Sequence, residues 1–255
     1  MKIGIIGFGV VGQAVSNGLQ GIGHRLSHYD LKDNTTIDLV LDTELLFVCV
    51  PTNSTAEGRC DTSIVEQIVD ELVSLNYQGI IAIKSTIAPG TTDRLIKQHP
   101  TFNICCTPEF LRQRSADSDF SDYHDVLVIG SYSEEVSNVV ISAHGIIPKF
   151  VATVTPIEAE VIKYFNNVHN SMEIVFANAM HEMCKLLGAN YQNVLSTISK
   201  RSNINSSYLR CSDYYKGFSG HCLPKDTLAW KILAEDLGVN VNLFNSIIED
   251  NRRYQ

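Results

Sequence analysis

Ile3-Gly-Ile-Ile6-Gly7-Phe8-Gly9-Val10-Val11-Gly12 opens the chain with a short apolar run followed by three glycines at fixed spacing. A G-x-G-x-x-G carries meaning when it follows a strand and opens a helix, and this one reads as doing both. The first glycine permits the tight turn, the second lets the backbone approach a pyrophosphate, and the third lets strand and helix pack closely. Phosphates then lie at a helix N-terminus, where free N–H groups and the helix dipole favour anions. The next apolar run ends in Ser27-His-Tyr-Asp30. A carboxylate there accepts from both ribose hydroxyls of NAD and repels the 2′-phosphate of NADP, so NAD is the expected cofactor.

Outward from that turn, residues 1 to about 153 alternate short apolar runs with helical stretches. This predicts an α/β domain, a Rossmann-type doubly wound parallel sheet covered on both faces. Strands are expected at Ile3–Ile6, Arg25–Tyr29, Leu45–Val50, Ile80–Lys84, Asn103–Cys106, Val126–Ile129 and Lys149–Ala152. Val50-Pro51-Thr52 and Ser85-Thr86 end two of them, on the carboxyl edge where such sheets bind ligands. Ser63-Ile-Val-Glu66 reads as a capping box opening a helix to about Leu75.

At Thr155 the pattern changes. Thr155-Pro-Ile-Glu158 supplies an N-cap, a proline at the first helical position and a glutamate three residues on. Nothing breaks the helix before Gly188, so it should run roughly 30 residues, or about 45–50 Å. A helix longer than a small domain is wide needs partners along its whole length. A homodimer through 155–187 is therefore expected. Further helices are expected at about 190–200, 225–237 and 241–253, making residues 154–255 a smaller all-α domain built on the long helix.

Composition bounds the function. Hydrophobic residues make up 44% of 255 and charged residues 19%, which excludes a disordered chain. A net charge of −8 offers no footprint for nucleic acid or an anionic membrane, and no apolar run approaches the roughly 18 residues of a membrane span. Seven cysteines, mostly inside apolar runs, suit reduced thiols and a cytoplasmic setting. His24 and His28 share a strand face, but no further ligand cluster joins them, so no metal site is expected.

Lys216-Gly217-Phe-Ser-Gly-His-Cys222-Leu-Pro-Lys225-Asp226 is the stretch richest in chemistry. Cys222 stands in a glycine-rich loop just before a helix start expected at Pro224. A helix N-terminus and a nearby ammonium both favour thiolate, the nucleophilic form. For an arbitrary cysteine a buried structural role is commoner, and Cys49, Cys105, Cys106 and Cys184 read that way. In the long helix Lys163 and Asn167 are four apart and share a face with Glu160 and Asn170, a polar band that spacing alone leaves open. Glu109, in Thr107-Pro-Glu-Phe-Leu-Arg112, follows another strand at the ligand edge. A carboxylate there can steer a water or shuttle protons, although capping is the commoner use.

Taken in order, the glycine fingerprint, Val50-Pro51-Thr52, Lys84-Ser85-Thr86, Pro108-Glu109-Phe110-Leu111, Lys163 with Asn167, and Gly220-His-Cys222-Leu-Pro-Lys-Asp226 resemble the UDP-glucose/GDP-mannose dehydrogenase family over the whole chain. The resemblance implies a two-step, four-electron oxidation of a nucleotide sugar's C6 alcohol to the carboxylate with two NAD. Cys222 would capture the aldehyde as a thiohemiacetal, become a thioester, and be released by water. Lys163 and Asn167 would stabilise the alkoxide or oxyanion. Asp226 would assist the water or act as base, Glu109 would support hydrolysis, and Thr86 would hydrogen-bond near the reacting centre. Phe110, Leu111, Tyr208 and Gly217 would line the sugar pocket with Glu109, Lys163, Asn167 and Cys222. Ser85, Thr86, Gln113 and Lys225 would join Gly7–Gly12, Asp30 and Val50–Thr52 on the cofactor.

Gln113 stands where the family usually has glutamate, and Ser219 where it has glycine. Asn203-Ile-Asn205-Ser-Ser-Tyr208 lacks an arginine usual in UDP-glucose enzymes and leans towards the GDP-mannose branch. The resemblance also implies a third, C-terminal UDP-binding domain that this chain lacks, to be supplied by a separate chain or done without. Its loss should weaken substrate binding by several kcal/mol. Two other readings stand beside this one: an NAD-binding homologue without turnover, and a β-hydroxyacid dehydrogenase, which needs no cysteine.

Overall fold

A computed structural model describes residues 1–254. Seven strands form one sheet: β1 (Lys2–Ile6), β2 (Arg25–Tyr29), β3 (Leu45–Val48), β4 (Ile80–Ile83), β5 (Asn103–Cys106), β6 (Val126–Gly130) and β7 (Phe150–Val154), in the order β2-β1-β3-β4-β5-β6-β7. Successive side chains point to opposite faces. Ile3, Ile5, Leu45, Phe47, Ile80 and Ala82 pack on one face, against helices α1 (Val10–Gly21), α5 (Ala116–Ser121) and α6 (Glu134–His144). Ile6, Leu46, Val48, Ile81 and Ile83 pack on the other, against α2 (Asp38–Leu41), α3 (Ser63–Ser74) and α4 (Thr91–Gln98). With both faces covered, the inner strands Leu45–Val48 and Ile80–Ile83 read as continuous apolar runs, whereas the edge strand Arg25–Tyr29 is only partly buried.

The sheet departs from the expected all-parallel form at one place. β5 and β6 pair antiparallel, through Cys106 and Gly130, while every other pairing is parallel. That bridge joins the last residue of each strand.

The expected capping box at Ser63 does not form, and the N-cap makes no side-chain cap bond. Thr62 is the N-cap, its hydroxyl donates to the Glu66 carboxylate, and Asp61 accepts the Ser63 N–H at 2.9 Å. The second one forms: the Thr155 N–H and hydroxyl both donate to Glu158, at 2.8 and 2.7 Å, ahead of the 31-residue helix α7 (Pro156–Leu186). Then follow α8 (Tyr191–Ile198), α9 (Cys222–Asp236) and α10 (Leu243–Tyr254). Cys222 is thus the first residue of α9, two positions ahead of the expected start at Pro224.

The chain divides into two compact units, and the division falls inside α7 rather than at residue 153. One unit holds Met1–Asn53 and Asp61–Lys163; the other holds Ser54–Cys60 and the chain from Tyr164 onward. The first two turns of α7 stay with the sheet because Ala159 is fully buried in its core and Glu160 binds the N-terminus of α4. Ser54–Cys60 forms a small hairpin closed by a bridge between its ends. Its tip, Gly58, lies so close to Leu228 and Ile232 of α9 that a Cβ would stand 2.7 Å from the Leu228 side chain, and Arg59 pairs with Asp236. The second unit has its own core, from Ala177, Cys184, Tyr191, Leu195, Leu209 and Cys211. Among the described residues no helix is long and apolar enough to cross a membrane.

Candidate active site

The turn from β1 to α1 has the geometry its glycines imply. Gly7 has φ +89°, and a Cβ there would lie 2.7 Å from the Cys49 carbonyl oxygen. A Cβ on Gly12 would lie 2.1 Å from the Gly7 carbonyl oxygen, so strand and helix touch through it. Gly9 is the N-cap of α1, makes no side-chain cap bond, and has nothing within 4 Å of where a Cβ would stand. That open space before the first turn of α1, at Val10 and Val11, fits a pyrophosphate. Asp30, at the end of β2, ties the turn down: its carboxylate accepts the Phe8 N–H at 2.6 Å and the Lys32 N–H at 2.8 Å. These two bonds hold its carboxyl below the usual carboxylate range, ready to accept from a ribose. The Phe8 ring stacks on His28, with centroids 3.8 Å apart. The residues present therefore fit NAD.

Val50, Pro51 and Thr52 leave the end of β3, and Ser85 and Thr86 leave the parallel end of β4. The Ser85 hydroxyl donates to the Val50 carbonyl at 2.7 Å, joining the two ends. Gln113 opens a short 3-10 turn farther on and is exposed.

Glu109 does not face outward. Its carboxylate turns into the sheet, where Lys84 donates to it at 3.0 Å, and it accepts the Phe110 N–H at 3.0 Å. The Lys84 side chain is fully buried, with its ammonium over the rings of Phe47 and Phe120. Burial alone would raise the Glu109 carboxyl. The charges of Lys84 and His124, with the hydrogen bonds from Lys84 and Phe110, outweigh it and hold the group at about 2. The main-chain carbonyl of the same Glu109 accepts from the Lys163 ammonium at 2.6 Å, and the Phe110 ring lies 5.4 Å from that ammonium.

The polar band on α7 resolves into separate tasks. Glu160 caps α4, accepting from the Gly90 and Thr92 N–H groups and from the Thr92 hydroxyl. Asn167 donates to Asp226 at 2.6 Å, and the Thr227 and Ser171 hydroxyls meet at 2.8 Å, so α7 grips α9 through polar side chains. Asp226 is fully buried, lies 2.6 Å from the Lys225 ammonium, and stands one helical turn after Cys222. Cys222 is exposed, whereas Cys105, Cys106, Cys184 and Cys211 are buried. Burial pushes the thiols of Cys49 and Cys105 up to about 12, which leaves them inert as nucleophiles. Asn251 of α10 secures the approach to Cys222, accepting the Phe218 N–H at 2.6 Å and donating to its carbonyl at 2.9 Å. Gly217 has φ +61° and lies against that Asn251 side chain, while Tyr208 is half-buried in the loop before it.

Residues 31–145 match the NAD binding domain of the UDP-glucose/GDP-mannose dehydrogenase family, and residues 157–253 match the central domain of the same family. The chain belongs to the UDP-glucose/GDP-mannose dehydrogenase family. The UDP-glucose 6-dehydrogenase of Rickettsia conorii is 30% identical over 219 residues, which is 83% of this chain and 50% of that protein. The GDP-mannose 6-dehydrogenase of Pseudomonas aeruginosa is 26% identical over 98% of this chain and 68% of its own. Among solved structures, a UDP-glucose dehydrogenase from Pyrobaculum islandicum superposes with a TM-score of 0.89 at 24% identity, over 99% of this chain and 68% of that one. The chain spans about half the length of the first of these relatives. The family's match begins after the glycine turn and Asp30, so that end of the NAD site rests on its own geometry.

From sequence alone, Lys84 and Glu160 stand without their partners, and Asn251 is not singled out. Only Lys84 leaves a local trace, as a charged residue directly after the wholly apolar Ile80–Ile83. Buried charges occur paired, so a lysine at the inner end of such a strand calls for an acidic partner.

Proposed function

We propose that this chain forms the NAD-binding and catalytic core of a nucleotide-sugar 6-dehydrogenase of the UDP-glucose type, with a GDP-mannose-type sugar as the alternative substrate. The observation that carries the reading is Cys222, exposed on the first residue of a 15-residue helix, with Asp226 one turn along and held by Asn167. NAD, when bound, supplies the hydride acceptor. Gly7, Phe8, Gly9, Val10, Val11 and Gly12 hold its pyrophosphate and Asp30 its ribose, with Val50, Pro51, Thr52, Ser85, Thr86, Gln113 and Lys225 completing the cofactor's surroundings. Cys222 adds to the C6 aldehyde and carries the acyl group as a thioester until water releases the carboxylate. Lys163 and Asn167 stabilise the oxygen that becomes negative, Asp226 directs the water, and Phe110, Leu111, Tyr208 and Gly217 contact the sugar. Incubation with NAD and UDP-glucose, or with GDP-mannose, should form two NADH for each sugar consumed. No NADH and no covalent adduct on Cys222 with either sugar would leave an NAD-binding homologue without turnover.

We further propose that a second copy of the chain covers α7, as a homodimer. Phe165, Met172, Phe176, Met180, Met183 and Leu187 recur every three, four or seven residues, and all are exposed. Burying one such side chain stabilises by roughly 1.5–3 kcal/mol, ample for a stable pair when six are repeated twice. The wild type should sediment as a dimer at micromolar concentration, and Phe176→Asp with Met183→Asp should sediment as a folded monomer. A monomeric wild type would refute the assignment.

A further inference from the structure

The fold does not require the buried Lys84–Glu109 pair as such. An apolar residue would fill the place of Lys84 between Phe47 and Phe120, and exchanging a buried ion pair for well-packed apolar side chains is often neutral or stabilising. A fully buried ammonium is therefore better explained by what its charge holds in place. Its nitrogen reaches two points of one short segment: the Glu109 carboxylate at 3.0 Å and the Thr107 carbonyl at 3.4 Å. The same segment meets Lys163 at two points, through the Glu109 carbonyl at 2.6 Å and the ring of Phe110. The Phe110 N–H is in turn tied back to the Glu109 carboxylate.

We propose that Lys84 is a positioning residue for Lys163: from inside the sheet it pins Thr107–Phe110, whose carbonyl and ring aim the Lys163 ammonium. The inference rests on the reading of Lys163 as the group that stabilises developing negative charge. Electrostatic stabilisation of that kind works only when the charge is fixed before the reaction, because a mobile ammonium loses its advantage in reorganising. Lys163 sits on a long flexible stem with four rotatable bonds, so something has to remove that freedom. Glu109 thereby acquires a second task beside any on water: its side chain receives the hold of Lys84 and its backbone passes it on. With the carboxyl held at about 2, the hold persists across the whole physiological pH range.

Competitive acylation with acetic anhydride followed by peptide mass spectrometry measures the arrangement without any turnover. In the wild type, Lys163 should label more slowly than the exposed Lys97. Lys84→Met leaves a buried carboxylate unpaired and is apt to unfold, so the deciding variant is Lys84→Met with Glu109→Gln, which removes both charges. In that double variant, folded by circular dichroism, the labelling of Lys163 relative to Lys97 should rise about tenfold, as expected when a charge-assisted hydrogen bond is lost. Glu109→Gln alone, which keeps the bond from Lys84 to the Thr107 carbonyl, should change the ratio less than about twofold. A folded double variant with Lys163 as protected as in the wild type would overturn the proposal. So would a parallel rise at Lys231, which is paired with Glu235 in the second unit and would report general loosening. If the wild type turns over, the double variant should have a lower kcat than Glu109→Gln alone, with KM little changed. If the wild type has no turnover and Lys163 still responds to Lys84, the positioning stands and the proposed reaction falls.

Discussion

Cys222→Ser is expected to lower four-electron turnover by about 10³-fold or more while leaving NAD affinity within about twofold. A hydroxyl at neutral pH is far less nucleophilic than a thiol and has to be activated by a base. NAD affinity is insensitive because the glycine turn and Asp30 belong to the other compact unit. The measurement is NADH formation at saturating sugar, beside calorimetric titration with NAD. A serine variant with full activity would point to an alcohol oxidation that needs no covalent intermediate and would end the thioester reading. Brief treatment with iodoacetamide supplies an independent check: Cys222 should be modified while the buried Cys105 and Cys106 are spared.

The second large effect concerns stability. Lys84→Met should destabilise the chain by about 3–5 kcal/mol, the usual consequence of leaving one half of a buried ion pair alone. Adding Glu109→Gln should recover most of that loss, because the uncompensated charge disappears. The pH dependence gives the sharper test. In the wild type the Glu109 carboxyl is held at about 2, below its value of about 4.3 in an unfolded chain. A depressed acid contributes stability that is fully present above the unfolded value and fades as pH falls through 4 towards 2, here on the order of 3 kcal/mol. Without Lys84, burial raises the same carboxyl, and the sign reverses. Lys84→Met should therefore become more stable when the pH is lowered from 7 to 5, where the wild type should not gain from this group. Urea unfolding at the two pH values decides it, and equal slopes for both proteins would refute the ion-pair account.

Much of the fold could be read along the chain. All seven strands lie where apolar runs placed them, and the long helix starts at the Thr155–Glu158 cap and ends just before Gly188, whose φ is +70°. These are local signals: a period of two or 3.6, a cap three residues long, a glycine forced positive. The glycine turn was equally legible, since Gly7 and Gly12 act on neighbours within a few residues or on the adjoining strand, and Gly9 leaves open space beside the helix start. The cysteine loop was legible as a pattern, although α9 begins at Cys222 itself.

What escaped depends on partners distant in sequence. The hairpin Ser54–Cys60 leaves the sheet-forming half because Gly58 and Arg59 find Leu228, Ile232 and Asp236 some 170 residues on, where Arg59 and Asp236 alone are 177 apart. Glu160 looked like one of four polar residues on a helix face until α4 brought its free N–H groups alongside. The inward turn of Glu109 follows from Lys84 just past the end of β4, and the hold on the Cys222 loop from Asn251 on the last helix. Sequence alone determined the alternation of elements, the glycine turn and the chemical alphabet of the site, because backbone sterics and hydrophobic periodicity act over a few residues. Tertiary structure decided which carboxylate pairs with which lysine, since an ion pair is set by distance in space and by the loss of water around it, and neither is written in spacing along the chain.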